Sequence, residues 1–267
     1  MAEFFQSLLN PYFITDAAGV TVSFIVLFFI TKKVPLPRRV VYSVLICALI
    51  GLFLGCHIMY LIIHIPQIVN EARVNPIVSF GDLLVRIGDG ASGLAYFGGL
   101  FGFIAVIALF CRIWKLNTRI YMNTLILLFP LYQCAGRIGC SLAGCCYGIE
   151  YYGIFAIHYD ESYIVEGASE HIAEYPHFPV QPLESLLGLV LFFVLLALFF
   201  KFGNMLPLTC IYVPAYAFIR FFDEFLRADA IRGIWGPLSA SQWIALGTLL
   251  FFAVYWYRAF KLRYKAI

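Results

Sequence analysis

The sequence predicts an all-α integral membrane protein of about seven transmembrane helices, with a small cap outside the membrane. Of its 267 residues, 63% are hydrophobic and only 12% are charged, whereas charged residues make up about 25% of an ordinary soluble domain. The apolar residues fall into runs of about 20, the length that crosses the hydrocarbon layer. Because lipid offers backbone groups no hydrogen-bond partners, such runs are expected to be helices.

Seven apolar runs define the predicted helices. They cover residues 14–31, 40–65, 92–112, 119–138, 184–202, 206–227 and 241–259. The segment before the first run contains Glu3 but no lysine or arginine, so it lacks the basic start of a cleaved signal peptide, and the first helix is expected to remain. We expect residues 1–267 to form one polytopic membrane domain.

Basic residues follow every second run, and this alternation predicts the orientation. They are Lys32, Lys33, Arg38, Arg39, Arg112, Lys115, Arg119, Lys201, Arg258, Lys261, Arg263 and Lys265. Under the positive-inside rule these segments face the cytoplasm. The amino terminus is therefore predicted to lie outside and the carboxyl terminus inside.

The two longest outer loops differ from the short basic ones. Residues 66–91 are rich in turn-forming and polar residues, and residues 147–181 are expected to form the cap. Alternating residues in the stretch 154–160 predict a short strand there. The three histidines of this loop, His158, His171 and His177, are expected to be solvated.

Arg137 lies among glycines at the end of the fourth run, in the stretch GRIGCSLAGCCYG from Gly136 to Gly148. An arginine at membrane depth costs about 2.5–3.5 kcal/mol on insertion scales, so such residues usually pair or line a polar cavity. Arg137 is thus the first candidate for a functional site.

The sixth run carries a second group of charges. Tyr216, Arg220, Glu224 and Arg227 are four, four and three residues apart, which places them on one stripe of an α-helix. Arg137 and Arg220 facing one cavity would suit a phosphate, because the guanidinium fork matches phosphate oxygens. A simple i, i+4 ion pair between Arg220 and Glu224 is the alternative. Nucleic acid is not an expected partner, since no solvated basic face with interleaved aromatics is present.

Four of the eight cysteines, Cys134, Cys140, Cys145 and Cys146, crowd around the end of the fourth run. Close packing of small residues, a disulfide, and a metal or transfer thiol all stay open as explanations. The spacing does not match the paired CxxC of structural zinc sites, and we expect neither a metal site nor a cofactor. The glycines of the third run, at positions 93, 98, 99 and 102, predict close helix approach or room for a lipid chain.

These residues together resemble the prolipoprotein diacylglyceryl transferase family, which moves diacylglycerol from phosphatidylglycerol to the cysteine thiol of lipoprotein precursors. The resemblance covers most of the chain. It rests on the glycine–arginine signature at Gly136, Arg137, Gly139 and Gly148, on YFGGLFG from Tyr96, on Gln181 and Glu184, on Tyr216, Arg220, Phe221, Glu224, Phe225 and Arg227, and on GPLSASQW from Gly236.

The resemblance implies a transferase of the bacterial plasma membrane whose partners are phosphatidylglycerol and prolipoprotein signal peptides. The catalytic residues it implies are Arg137, Arg220 and Glu224. The substrate-binding residues it implies are Tyr96, Gly98, Gly99, Gly139, Cys140, Gly148, Gln181, Glu184, Tyr216 and Arg227. Glu224 would orient an arginine or receive the thiol proton, and Tyr96, Tyr216 and His64 are weaker candidates for the proton.

The chain also departs from the family pattern. Phe97 stands where the family has histidine, Cys140 and Ala143 stand in place of asparagine, and Cys145 in place of glutamate; Ala18 and Leu183 each replace a tyrosine. A divergent lipid-binding paralogue, non-catalytic or with an altered substrate, is therefore the alternative function.

Overall fold

The structure is a computed structural model that describes residues 11–74, 95–159, 172–228 and 233–265, and these residues are mostly helical. The helices are α1 (Pro11–Lys33), α2 (Arg38–Val74), α3 (Tyr96–Ile113), α4 (Thr118–Ile126), α5 (Leu128–Ala143), α6 (Val180–Phe202), α7 (Thr209–Asp223) and α8 (Ala240–Lys265). Two 3₁₀ turns, Gly203–Met205 and Glu224–Leu226, and a hairpin of β1 (Ile234–Trp235) and β2 (Leu238–Ser239) accompany them.

Six helical segments of the described chain are long and apolar enough to cross a membrane, which confirms the all-α multi-pass fold class. One of them combines α4 and α5 as Thr118–Ala143. Helix α7, within the predicted sixth run, has 15 residues and continues as a 3₁₀ turn, and it is not among the six. The count of seven and the orientation stay predictions.

Several predicted boundaries were wrong. Helix α2 continues through Pro66 to Val74 instead of ending in a loop at residue 66. A proline inside a helix removes one hydrogen bond and crowds the preceding turn without always ending the helix, and the residues after Pro66 include good helix formers such as Glu71 and Ala72. The remainder of that predicted loop, residues 75–91, lies outside the described residues.

The fourth run is interrupted at Leu127, three residues before Pro130. Helix α4 ends at Ile126, and α5 begins at Leu128 and contains Pro130. The ring of a proline clashes with the carbonyl four residues before it, which here belongs to Ile126. Helix α5 then extends to Ala143, so the whole Gly136–Gly139 segment with Arg137 is helical.

The chain divides into two compact units, Pro35–Met122 and a second unit of Met1–Val34 with Asn123–Ile267. In the first unit α2 packs against α3 through glycines. A Cβ atom added at Gly98 would collide with the carbonyl oxygen of Gly55, and one at Gly102 with that of Gly51. This confirms the close helix approach predicted for the third run; Gly93 lies outside the described residues.

In the second unit α5 packs against both α1 and α6. Gly19 of α1 lies so close to Ala135 that a Cβ atom would collide with the alanine side chain. On the other side, the Ser185 hydroxyl of α6 donates to the carbonyl of Cys134 at 2.9 Å. Small residues on α5 thus let two neighbouring helices approach the segment that carries Arg137.

The hairpin ends in a capping box that starts α8. The Ser239 hydroxyl accepts a hydrogen bond from the backbone N–H of Gln242 at 3.3 Å, and the Gln242 side-chain oxygen accepts one from the Ser239 N–H at 2.9 Å. This reciprocal pair satisfies two N–H groups of the helix start. The Gln242 amide also donates to the carbonyl of Phe221 at 3.3 Å, which ties α8 to α7.

Candidate functional site: a buried arginine–carboxylate cluster

Glu184 lies at the centre of a cluster of charged side chains contributed by α5, α6 and α7. It forms ion pairs with Nε of Arg137 on α5 and, at 2.5 Å, with Nη1 of Arg220 on α7. The Glu184 side chain is 2% exposed, and those of Arg137 and Arg220 are 13% and 7% exposed. The two arginines predicted to share a cavity are therefore joined by one buried carboxylate.

Glu224 extends the cluster along α7 and the 3₁₀ turn. Its carboxylate pairs with Nη2 of Arg220 at 2.5 Å and lies 4.0 Å from Nη1 of Arg227. The i, i+4 pair considered as the alternative is thus present, but Arg220 also reaches across to Glu184. Arg227 is buried as well, but it follows the 3₁₀ turn in an extended conformation, so it does not lie on the predicted α-helical stripe.

Sequence reasoning missed part of this arrangement. Glu184 was assigned to substrate binding and not to the arginines, and Asp223 was not singled out although it is buried beside the cluster. Tyr216, the other member of the predicted stripe, is buried and stacks on Tyr212 with 6.1 Å between ring centroids. The four-residue spacing identifies partners on one helix, while Glu184 lies 36 positions before Arg220.

Gln181 and Gly148, two of the predicted substrate-binding residues, lie at the two ends of the cap. Helix α6 begins at Val180, four residues before the predicted run, so Gln181 and Glu184 both lie inside its first turns. The Gln181 amide donates to the carbonyl of Cys145 and to the Tyr159 hydroxyl, both at 2.8 Å. Burial raises the pKa of Tyr159 to about 12 despite this bond, so the phenol stays neutral at physiological pH.

The backbone around Gly148 runs between two other segments. Ile149 donates to the carbonyl of Leu226 at 2.9 Å and accepts from Phe178 at 2.8 Å, and a Cβ atom at Gly148 would collide with the Phe178 carbonyl. The predicted strand from Ile154 is absent in the described residues up to Tyr159, where Ile157 forms a single bridge with His177. His177 forms a second single bridge, with Glu150.

His177 holds this part of the cap through its side chain. The prediction that it is solvated was wrong. It is buried, and its two ring nitrogens lie 2.8 Å from the carbonyl oxygen of Gly148 and 2.9 Å from that of Ile172. Its ring also contacts those of Tyr147 and Tyr159, at 5.0 and 5.8 Å between centroids. His158 is exposed, and His171 lies outside the described residues.

Three thiols lie beside the charged cluster. The Sγ atoms of Cys140, Cys145 and Cys146 are within 4.8 Å of one another, and none of the three cysteines is in a disulfide. Hydrogen bonds from the Cys140 and Cys145 thiols, together with the charges of Arg227 and Arg137, lower the pKa of the Cys146 thiol well below its ordinary value. Gly139, which is predicted to bind substrate, is buried next to Cys140 on α5.

The remaining predicted residues belong to the first unit. Gly98 and Gly99 are buried where α3 meets α2, and Phe97, at the family's histidine position, is buried beside them. Tyr96 is half-buried at the start of α3. His64, a weaker candidate for the proton, lies with Nδ1 2.8 Å from the Tyr60 carbonyl of its own helix and stacks on that ring.

The cluster combines several arginines with buried carboxyl groups. Its ion pairs join three arginines to two glutamates, and the side chain of Asp223 is buried on the same helix as Arg220. Arg137 meets Glu184 through Nε, so its two Nη groups lie outside this ion pair. A guanidinium engaged in this way still offers N–H donors to the oxygens of an incoming anion.

Known proteins of one family are similar to this chain over most of its length. The family model described as prolipoprotein diacylglyceryl transferase matches residues 4–258. A phosphatidylglycerol–prolipoprotein diacylglyceryl transferase of Clostridium tetani is 27% identical, over 93% of this chain and 92% of its own length. One of Clostridium perfringens, numbered 2, is 31% identical over 78% and 75%, and one of Campylobacter jejuni subsp. doylei is 28% identical over 75% and 69%. Because the family model matches nearly the whole chain, this protein belongs to the prolipoprotein diacylglyceryl transferase family.

Proposed function

We propose that this chain transfers the diacylglyceryl group of phosphatidylglycerol to the lipobox cysteine thiol of prolipoproteins, at the plasma membrane of a bacterium. The names of its relatives support the substrates. The structural observation that carries the proposal is the buried cluster in which Glu184 joins Arg137 and Arg220. Two buried arginines in a membrane protein need an acid or a ligand, and here the acid leaves donors for a ligand.

The phosphodiester of the lipid is the proposed ligand of Arg137 and Arg220. Its oxygens carry one negative charge, and guanidinium groups bind such oxygens with short, charge-assisted hydrogen bonds. Glu184 holds the two arginines in place, and the phosphodiester would bind the N–H donors that the carboxylate leaves. Tyr216 and Arg227 border the same cluster.

In the proposed reaction the thiol sulfur attacks the glycerol carbon that carries the phosphate ester. A carbon–sulfur bond forms, the carbon–oxygen bond breaks, and its electron pair leaves with glycerol phosphate. The thiol proton is lost to water, and Arg137 and Arg220 stabilise the thiolate and the charge that develops on the leaving phosphate. Glu224 is paired with two arginines, so its proposed role is to orient Arg220 rather than to accept the proton.

The proposal is tested with purified protein, phosphatidylglycerol and a lipobox peptide, by measuring released glycerol phosphate. Arg137→Ala and Arg220→Ala should each lower the rate by more than about 100-fold, since losing one preorganised donor to developing charge costs about 10²–10³. Arg112→Ala, which changes an exposed arginine at the end of α3, should retain the parent rate. Near-normal release by either cluster variant would contradict the proposed role.

A lipid-binding protein without transferase activity is the second candidate. Phe97 and Cys140 are the observations that favour it, because neither side chain replaces the histidine or the asparagine that the family pattern has there. The same assay separates the two functions. Binding of phosphatidylglycerol that depends on Arg137 and Arg220 but yields no glycerol phosphate would support the second candidate and exclude the first.

A further inference from the structure

The three thiols at the end of α5 are not used by the proposed reaction. Cys140 is buried in the last turns of the helix, while Cys145 and Cys146 are half-buried just beyond it. Their three Sγ atoms lie within 4.8 Å of one another. Sulfurs ringed around one metal ion at about 2.3 Å stand about 4 Å apart, so less than about 1 Å of movement would close such a ring.

The backbone after α5 brings these thiols together. Gly144 ends the helix in the left-handed conformation with φ of 72°, and Cys146 is left-handed as well with φ of 58°. The N–H of Cys145 donates to the Cys140 carbonyl at 3.1 Å. The chain thus folds back on its own helix end, which returns two cysteine side chains to the one that precedes them.

We propose that Cys140, Cys145 and Cys146 form a three-thiolate binding site for one soft, thiophilic d¹⁰ metal ion. All three donors are sulfur, which favours such ions over magnesium or calcium. In the described part of the chain, this group contains no histidine or carboxylate ligand, so the protein supplies three donors and the coordination is trigonal or completed by water.

The surrounding charges fit a trithiolate. Three thiolates around a monovalent or divalent ion carry a net negative charge, which burial would penalise without cations nearby. The guanidinium groups of Arg137 and Arg227 lie within electrostatic reach of Cys146 and supply those cations. Because ligating cysteines bind as thiolates, each thiol that enters the site releases its proton.

Cadmium is a suitable probe, since its thiolate complexes absorb in the ultraviolet through charge transfer from sulfur. Full-length protein, reduced with a phosphine that is then removed, is titrated with Cd²⁺ while absorbance and proton release are followed. We expect saturation at one ion per chain. Replacing any of the three cysteines with serine should weaken binding by more than about 100-fold, because even partners outside the ligand shell cost 10–100-fold.

Cys134→Ser is the matched control, on the same helix but outside the group. Cys134 Sγ lies 3.0 Å from the Ser185 hydroxyl, a contact that a serine retains. This variant should bind Cd²⁺ like the parent. Binding that survives replacement of all three cysteines would overturn the proposal, as would a mass that shows a disulfide among them in protein purified without oxygen.

Thermal unfolding gives a second measurement that does not depend on absorbance. An ion that binds only the folded chain raises the stability of that chain, and the increase grows with the ion concentration. Cd²⁺ should therefore raise the unfolding midpoint of the parent and of Cys134→Ser, and it should leave the midpoint of the variant lacking all three thiols unchanged. An equal rise in that variant would contradict a site at these cysteines. Neither measurement requires transferase activity, so the site is tested separately from the proposed function.

Discussion

At the scale of single residues, the buried cluster depends on a carboxylate, Glu184, whose ion-pair partners are distant in the sequence. The spacing of Tyr216, Arg220 and Glu224 was sufficient to predict one helical stripe, and the pair of Arg220 with Glu224 follows from it. Spacing along one helix contains no information about a residue on another helix. Glu184 therefore could be associated with the site through its motif, but not with Arg137 and Arg220 as an ion-pair partner.

Glu184→Gln keeps the size of this side chain and removes its charge. Arg137 and Arg220 would then lose a shared buried counter-charge, and removing one partner of a buried pair costs about 3–5 kcal/mol. We expect a markedly lower unfolding midpoint in detergent. Glu150→Gln is the control: Glu150 is exposed and accepts a hydrogen bond from Tyr152 at 2.7 Å, which glutamine also accepts. Equal midpoints for the two variants would contradict a structural role for Glu184.

His177→Phe tests the buried histidine of the cap. The change removes the ring nitrogens that lie beside the carbonyl oxygens of Gly148 and Ile172, and an unsatisfied buried polar group costs about 1–3 kcal/mol. The cap should become more sensitive to limited proteolysis. His158→Phe changes an exposed histidine nearby and should leave the cleavage rate as it is. Comparable cleavage of both variants would show that His177 does not hold the cap.

At the scale of elements, hydrophobic runs were sufficient to predict where helices lie, and local chemistry decided where they begin and end. The fourth run is one apolar stretch in composition, yet Pro130 divides it into α4 and α5. Helix α6 starts at Val180, earlier than the fifth apolar run, because polar residues such as Gln181 find partners inside the protein. A prediction based on apolar residues alone excludes such polar residues from the helix, because it contains no information about their hydrogen-bond partners.

Gly98→Ala tests the contact between α2 and α3. Any Cβ atom there meets the backbone of Gly55, and backbone cannot move aside as a flexible side chain does. We expect a lower unfolding midpoint although alanine is the better helix former. Gly247→Ala is a matched control in α8, where a Cβ atom meets nothing within 4 Å. That variant should gain up to about 1 kcal/mol from helix propensity, and a loss of stability there comparable to that of Gly98→Ala would contradict the packing explanation.

At the scale of the whole molecule, the apolar surface and the distribution of basic residues are what relate the chain to a bilayer. Large apolar side chains such as Phe29, Phe53 and Leu250 are exposed along the helices, as lipid contact requires. Composition was sufficient to predict this membrane character. Side-chain contacts alone do not distinguish the two faces of the membrane, so the orientation rests on lysine and arginine.

Reporter fusions test that orientation. A reporter that is active only in the cytoplasm should work when fused after Ile267 or inserted near Lys201, and should fail when placed before Met1 or at residue 153 in the cap. A reporter active only outside should give the reverse pattern at all four positions, so each fusion controls for the others. Activity of the first reporter at residue 153 would invert the predicted topology.

The shared carboxylate at Glu184 also has a consequence for biosynthesis. A ribosome makes the helix that carries Arg137 before the helix that carries Glu184, and Arg220 emerges last of the three. Until α6 has been made, Arg137 lacks the counter-charge that Glu184 provides in the folded protein. We therefore expect α5, α6 and α7 to pack around Glu184 only after α7 has been made, because the ion pairs with Arg137 and Arg220 need all three helices.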